Sequence, residues 1–361
     1  MVKVRQAVPV TAEGALDWAS WVARIVAKHP RLAAQPLTDS CSWIHQQHRD
    51  QLAAALELGE LVADLRLDTP SVVAALVYRL VRTERVSKPE LVALVDREAT
   101  ELVYSVAAMA TTSLLEMSDS PMLAKEQQSQ VENVKRMLAS MIDDARVAVI
   151  KLAERVVALR YAKNYDPQRR QRIAQEAGSV FAPLANRLGV WQLKWELEDL
   201  SLRYLREDIY LGIAKQLSQK RQQREAQVEA MTERVVELLG DHGVRAEVEG
   251  RAKNIFSIWR KMQAKSVPIA EVYDVRAVRI IVSSLADCYA ALGVIHTTWQ
   301  HLPAEFDDYI AVPKENGYQS IHTAITADDG DTLEVQIRTR QMHEDAELGV
   351  CAHWAYKSLD K

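Results

Sequence analysis

The sequence predicts an α+β protein in which an all-helical N-terminal half is followed by a small mixed sheet covered by helices. Three observations carry this. From about Leu52 to Leu239 apolar residues recur at three- and four-residue spacing, the period of a helix with one buried face. Near Asp241 the period falls to two, as in VRAEVEG, which is the alternation of a half-buried strand. With 361 residues, 48% of them apolar and 26% charged, the chain has room for two domains and the composition of packed cores.

The helical half begins with Leu56, Leu61, Val62 and Leu65 on one face, Glu57 interrupting. Thr69 and Pro70 suit an N-cap and first helical position, and Ser87 with Glu90 forms a capping box around Pro89. VAVIKLAERVVALRYA and APLANRLGVWQLKWELEDL continue the pattern, with a break expected at Gly189. The domain boundary is expected near the long helices between Leu193 and Leu239, giving domains 1–190 and 191–361. Beyond it, NIFSIWRKMQ reads as a helix, YDVRAVRIIVS as a strand and SLADCYAALGVIHTTW as a helix. SIHTAITADDGDTLEVQIRT reads as a hairpin turning at Asp329 and Gly330.

A net charge of −4 means that any nucleic-acid contact would need a local basic patch. Cys41, Cys288 and Cys351 are odd in number and far apart, a poor disulfide framework that points to a reducing cytoplasm. MVKVRQAVPV lacks the apolar core of a signal peptide, and no apolar run has the length of a membrane span, so the expectation is a chain neither exported nor inserted.

The chemistry concentrates between Arg251 and Arg338. Arg251 and Lys253, two apart at a strand end, leave one face, and Ser257 and Lys261, four apart, share a face of the next helix. Taken alone, such a cluster is more often a solvated basic face. Asp274 opens an apolar strand, where a carboxylate can hold Mg²⁺ or equally pair with Arg276 or Arg279. In LEVQIRT, Glu334, Gln336 and Arg338 face one way and Leu333, Val335 and Ile337 the other, so one face of the sheet is polar. Asp274 and Glu334 could divide metal binding and proton removal between them. In PKENGYQSIH, Gly317 allows an unusual backbone angle beside Tyr318, whose ring could stack on a base, with Lys314 and Asn316 near it. The acidic EFDDY, with Glu305, Asp307 and Asp308, is a second metal-proximal element or a solvated loop.

RxK, SIWRK, YDVRAVRI, PKxNGYQSIH, EVQIRT and HEDAELGVxAHW occur in an order that closely resembles the RelA/SpoT family over nearly the whole chain. The resemblance implies a nucleotidyltransferase-like synthetase domain that moves pyrophosphate from ATP to the 3′-hydroxyl of GDP or GTP, with Mg²⁺. It implies that Arg251, Lys253, Ser257 and Lys261 serve ATP, that Asp274 binds Mg²⁺, and that Glu334 activates the 3′-hydroxyl and touches the metal. Tyr318 would stack on guanine, with Lys314, Asn316 and His322 on the acceptor side. The acidic Glu305, Asp307 and Asp308 stand where bifunctional relatives are basic, which resembles the monofunctional synthetases. Family members of that kind continue into regulatory domains that meet the ribosome and uncharged tRNA, so the chain resembles their catalytic half.

The helical half resembles the family's HD-type hydrolase but departs from it. Tyr78 and Arg79 stand for the His-Asp pair, Arg82 and Thr83 for Glu-Asp, Ala54 for an upstream histidine, and Glu154 and Ala158 for Asp and Asn. Between His48 and His242 there is no histidine, which removes the imidazoles that a Mn²⁺ site of this type uses. A structural or regulatory pseudo-hydrolase is expected. HEDAE at His343 lacks the second histidine of a zinc-protease helix, since Glu347 stands there. The remaining alternative, a noncatalytic nucleotide-sensing or ribosome-docking module, sits poorly with Asp274 and Glu334 both being present.

Overall fold

The computed structural model describes residues 8–11, 14–111, 144–219, 221–252, 254–268, 276–328 and 330–352. Lys253, Asp274 and Asp329 lie outside the described residues. The chain divides into two units, one built around Arg5–Ala185 and one around Asn186–Gly349.

The first unit is helical: α1 (Trp18–Lys28), α2 (Ala34–Gln47), α3 (Leu52–Asp64), α4 (Thr69–Arg82), α5 (Lys88–Leu94), α6 (Arg97–Thr111), α7 (Ala145–Tyr161) and α8 (Pro167–Glu176). A π-helical turn, Ala177–Phe181, leads into α9 (Ala182–Arg187). The centre is α4, which touches α2, α3, α6 and α7. Its residues Val72 to Tyr78 are all buried, the signature of a helix enclosed on every side rather than lying at a surface. The expected cap of α4 needs correction. Asp68 is the N-cap and accepts from Ser71 N, while Thr69 is drawn to Ala33 N at 2.9 Å. The stronger acceptor wins the helix end, because a carboxylate also meets the positive end of the helix dipole. The Ser87–Glu90 capping box forms as the spacing predicts.

The second unit holds α10 (Trp191–Leu205), α11 (Glu207–Gln219), α12 (Arg221–Asp241), β1 (Ala246–Ala252), α13 (Ile255–Lys265), β2 (Arg276–Val282) and α14 (Leu285–Thr298). It continues with β3 (Asp307–Asp308), β4 (Ile321–Thr326), β5 (Thr332–Thr339) and α15 (Arg340–Leu348). The sheet order is β1-β2-β5-β4-β3, with β2 and β5 parallel and the other pairs antiparallel. Gly189, at φ +70°, makes the expected break before α10. The β4–β5 hairpin pairs Thr326 with Thr332 and turns through Gly330 at φ +80°.

One face of this sheet is apolar. Val278, Ile280, Val282, Ile321, Ile325, Leu333, Val335 and Ile337 pack there with Val235 and Leu239 of α12 and Cys288, Ala291 and Ile295 of α14. The alternation that buries these residues necessarily turns their neighbours to the opposite face. All three cysteines are free and buried. No helix among the described residues is long and apolar enough to cross a membrane.

Candidate functional site

The polar face of the sheet is built row by row from strand register. Arg251 of β1 lies opposite Ala277 of β2, which lies opposite Glu334 of β5, which lies opposite Ala324 of β4. Glu334 is thus flanked on its own face by two alanines, which leave space around the carboxylate. The next row runs Glu249, Arg279, Gln336, His322 and Asp307. Gln336 donates its side-chain amide to Glu334 Oε1 at 2.9 Å, which fixes that oxygen. The sequence predicted a polar face, but Gln336 and Arg338 are far more enclosed than residues lining an open cleft, at 1% and 2% exposure.

Tyr318 reaches this face from the loop before β4. Gly317, at φ +76°, closes a turn onto Lys314 O, a backbone conformation that side-chain-bearing residues rarely adopt. Asn316 is spent on the loop, donating to Asn186 O at 3.0 Å and accepting from Tyr318 N. The Tyr318 hydroxyl lies 2.8 Å from His322 Nε2, and His322 Nδ1 lies 3.6 Å from Glu334 Oε1. Burial pushes the His322 ring down to about 4; Glu334 opposes this, and Arg251, Lys314 and Arg338 reinforce it. A neutral imidazole therefore connects the acceptor-side ring to the carboxylate. Lys314 Nζ stands 4.0 Å from the Tyr309 ring centre and 5.6 Å from that of Tyr318, so aromatic faces help hold the cation, with the Asp307 charge also acting on it.

The site depends on residues of α10 that the sequence reading did not single out. Trp191 meets the Tyr318 ring edge-on at 5.5 Å, and Trp195, one turn further, carries the Arg251 guanidinium at 4.7 Å. One turn beyond that, the buried Asp199 accepts from Phe256 N at 2.7 Å and Ile255 N at 3.3 Å. It caps α13, the helix that carries Ser257 and Lys261 and whose own N-cap, Asn254, makes no side-chain cap. Burial raises the Asp199 carboxyl to about 6, and the two backbone donors hold it back. The four-residue spacing of Trp191, Trp195 and Asp199 was legible as one helix face. What that face touches is not encoded locally.

The acidic triad is not one cluster. Glu305 is exposed on the short turn Pro303–Glu305, and Asp307 is exposed on β3 opposite His322. Asp308 accepts from Ile310 N and Ala311 N, both at 2.9 Å, and from the Tyr289 hydroxyl at 3.1 Å, so it shapes the loop. The oxygen donor at Glu334 suits a hard cation that takes its remaining ligands from phosphates and water. Among the described residues no three His, Cys, Asp or Glu side chains converge as a metal cage.

In the helical unit the positions expected to be degenerate are closed by internal charges. Tyr78 is buried, and Lys151 Nζ lies 3.3 Å from its hydroxyl and 2.9 Å from Glu154 Oε2. Arg155 grips Glu154 through two nitrogens, at 2.7 and 2.8 Å, and reaches Glu176 at 3.3 Å. Burial would raise the Glu154 carboxyl, but Arg155 and Lys151 together hold it down to about 2. Burial pulls the Lys151 ammonium down to about 8. Arg79 is half-buried, Arg82 and Thr83 are exposed, and Thr83 closes the α4 C-terminus onto Arg79 O. Ala54 is buried in α3, and Ala158 is half-buried in α7. A phenol, a lysine and an arginine around one carboxylate do not suit a divalent cation, because the ammonium already supplies the positive charge.

Residues 32–191 match the family model of the HD domain, and residues 250–361 match that of the region found in RelA/SpoT proteins. A protein of Photobacterium angustum named GTP pyrophosphokinase is 50% identical over 83% of this chain and 40% of its own length. Its counterpart in Escherichia coli is 44% identical over 99% of this chain and 48% of its own length. A Synechocystis protein named as a probable guanosine-3′,5′-bis(diphosphate) 3′-pyrophosphohydrolase is 37% identical over 87% of this chain and 41% of its own length. The chain thus spans under half the length of these relatives. An HD domain followed by the RelA/SpoT region, with relatives of this kind matched across nearly all of its residues, places the chain in the RelA/SpoT family.

Proposed function

We propose that the sheet unit transfers the β,γ-pyrophosphate of ATP to the ribose 3′-hydroxyl of GDP or GTP, releasing AMP and forming ppGpp or pppGpp. The observation that carries this is Glu334, held at one oxygen by Gln336 and flanked by two alanines, on a face whose basic and aromatic groups would suit two nucleotides. Glu334 takes the proton of the 3′-hydroxyl as its oxygen attacks the β-phosphorus and the bond to the α-phosphate bridging oxygen breaks. Arg251, Lys253, Ser257 and Lys261 hold the ATP phosphates. Tyr318 stacks on the guanine, with Lys314, Asn316 and His322 around the acceptor.

Asp274 and Glu334 would hold Mg²⁺ together with the substrate phosphates, and the ion when bound neutralises charge on the moving pyrophosphate. We assign residues 191–361 to this synthetase domain and 1–190 to a hydrolase-like domain without hydrolase activity. The support for the second assignment is the Lys151–Glu154–Arg155 network in place of metal ligands. A cytoplasmic enzyme is the setting that fits these substrates. Regulation through the ribosome and uncharged tRNA would belong to domains other than these two.

The test is thin-layer separation of γ-labelled ATP incubated with GDP or GTP and the purified chain. Label should appear in a guanine nucleotide carrying a 3′-pyrophosphate. Nucleotide binding without any transfer of label would favour a sensing module instead.

A further inference from the structure

Asp199 is a buried acid whose two oxygens are both in use. With 7% of the residue exposed, its Oδ1 accepts from Phe256 N at 2.7 Å and its Oδ2 from Ile255 N at 3.3 Å. These are the first two amides of α13, which a helix leaves without partners of its own, and Asn254 at the N-cap position makes no side-chain cap. The acceptor comes instead from α10, which packs against α13. One turn earlier on the same face of α10, Trp195 carries the Arg251 guanidinium at 4.7 Å. β1 ends at Ala252 and α13 starts at Ile255, so α10 grips the chain on both sides of the short link between them. Arg251 lies before that link, and Ser257 and Lys261 follow it on α13.

We propose that Asp199 is a positioning residue for the ATP phosphates: its ionised carboxylate, one oxygen on each amide, sets the depth and rotation of α13 and so the placing of Ser257 and Lys261 relative to Arg251. The assignment rests on the role proposed above for those three residues. The ionised form fits this task because it offers an acceptor to both amides and also faces the positive end of the helix. A protonated carboxyl keeps one good acceptor and turns the other oxygen into a donor, which weakens one of the two bonds. Asparagine is in that condition at every pH, since its side-chain nitrogen only donates. Burial raises the Asp199 carboxyl to about 6, the two amides hold it back, and Glu198 and Glu196 of α10 push it further up. On α11, Tyr210 faces it with a phenol raised by burial and by Asp199 itself, while Lys194 of α10 and Arg260 of α13 act on Glu198. The hold on α13 therefore weakens as pH falls through about 6.

The experiment measures ATP and GDP binding by calorimetry in Mg²⁺ from about pH 7.5 down to about pH 5, for wild type and Asp199→Asn. Both nucleotides carry a terminal phosphate that titrates in this range, so the ratio of the two affinities isolates the protein's part. Wild type should lose ATP affinity relative to GDP as pH falls, by about threefold to thirtyfold, the worth of an N-cap acceptor. The Asn variant should show that loss already at the upper pH, should bind GDP as wild type does, and should keep a constant ratio across the range. A wild-type ratio that does not change with pH would overturn the assignment, and so would a variant whose ratio changes as that of wild type does. Equal losses for the two nucleotides in the variant would make Asp199 a packing residue and overturn it as well. Should the variant fail to fold, the wild-type profile still decides. Wild type that binds no ATP at any pH would overturn the proposed donor site, and this assignment with it.

Discussion

The chain contains two enclosed polar clusters, and they differ in whether their charges are answered from within. Around Tyr78 in the helical unit, Lys151, Glu154, Arg155 and Glu176 satisfy one another at 2.7 to 3.3 Å. On the sheet face, Arg338 Nε and Gln336 Oε1 make no hydrogen bond, and burial keeps His322 neutral beside Tyr318 although Glu334 opposes it. A cluster closed on itself holds a fold together and leaves nothing for a ligand to do. A cluster left open is destabilising until something arrives that completes it. Under the function proposed above, the open cluster is the site and the closed cluster a plug, and the matching of donors to acceptors is what sets them apart.

The difference can be attacked by mutation. Glu334→Gln should lower alarmone synthesis by about 10²- to 10⁴-fold, the range of a lost general base, with ATP affinity by calorimetry and melting temperature nearly unchanged. Near-normal turnover would move the base to Asp274 or to the Glu305–Asp308 segment. In the closed cluster, Glu154→Gln should instead cost stability, about 3–5 kcal/mol by chemical denaturation, because Lys151 and Arg155 lose their shared anion. Lys151→Met should cost much less, since Glu154 keeps Arg155. Equal costs for the two would mean that the network is not organised around Glu154.

Smaller effects test the open side. Tyr318→Ala should weaken GDP binding by about tenfold to hundredfold, the value of a base–aromatic stack, and ATP binding far less. Equal losses would make the ring a packing element against Trp191 and Tyr309. His322 and His343 are both held down to about 4, mainly by burial. Their folded values lie below the ordinary value near 6.5, so the unfolded chain binds more protons between the two values. The stability they contribute is complete above about 6.5 and is lost as pH falls toward 4, by at most about 1.4 kcal/mol per pH unit for each ring. His322→Asn should flatten that part of a melting profile taken across pH.

The sequence carried the fold class, the strand at LEVQIRT and the helices around Gly189, because hydrophobic period and capping are local. Glu334 and Tyr318 were legible as site candidates for the same reason, an alternating strand and a glycine turn. The contacts that complete both clusters were not. Asp199 caps a helix that starts 56 residues later, and Glu176 closes on Arg155 across 21 residues. Thr69 was a plausible cap by spacing, yet the adjacent Asp68 won. The enclosure of Arg338 was equally hidden, since an arginine on a strand's polar face reads as exposed until the elements around it are known.

The comparison rests on one unit doing chemistry and the other being sealed, and a single time course tests both. γ-labelled ATP and GDP are incubated with the chain in Mg²⁺ until the ATP is spent, Mn²⁺ is then added, and the label is followed. The account predicts that label passes into ppGpp and stays there, with no pyrophosphate appearing after Mn²⁺. Failure to form labelled ppGpp would contradict the open site, and Mn²⁺-dependent release of labelled pyrophosphate from it would contradict the closed one.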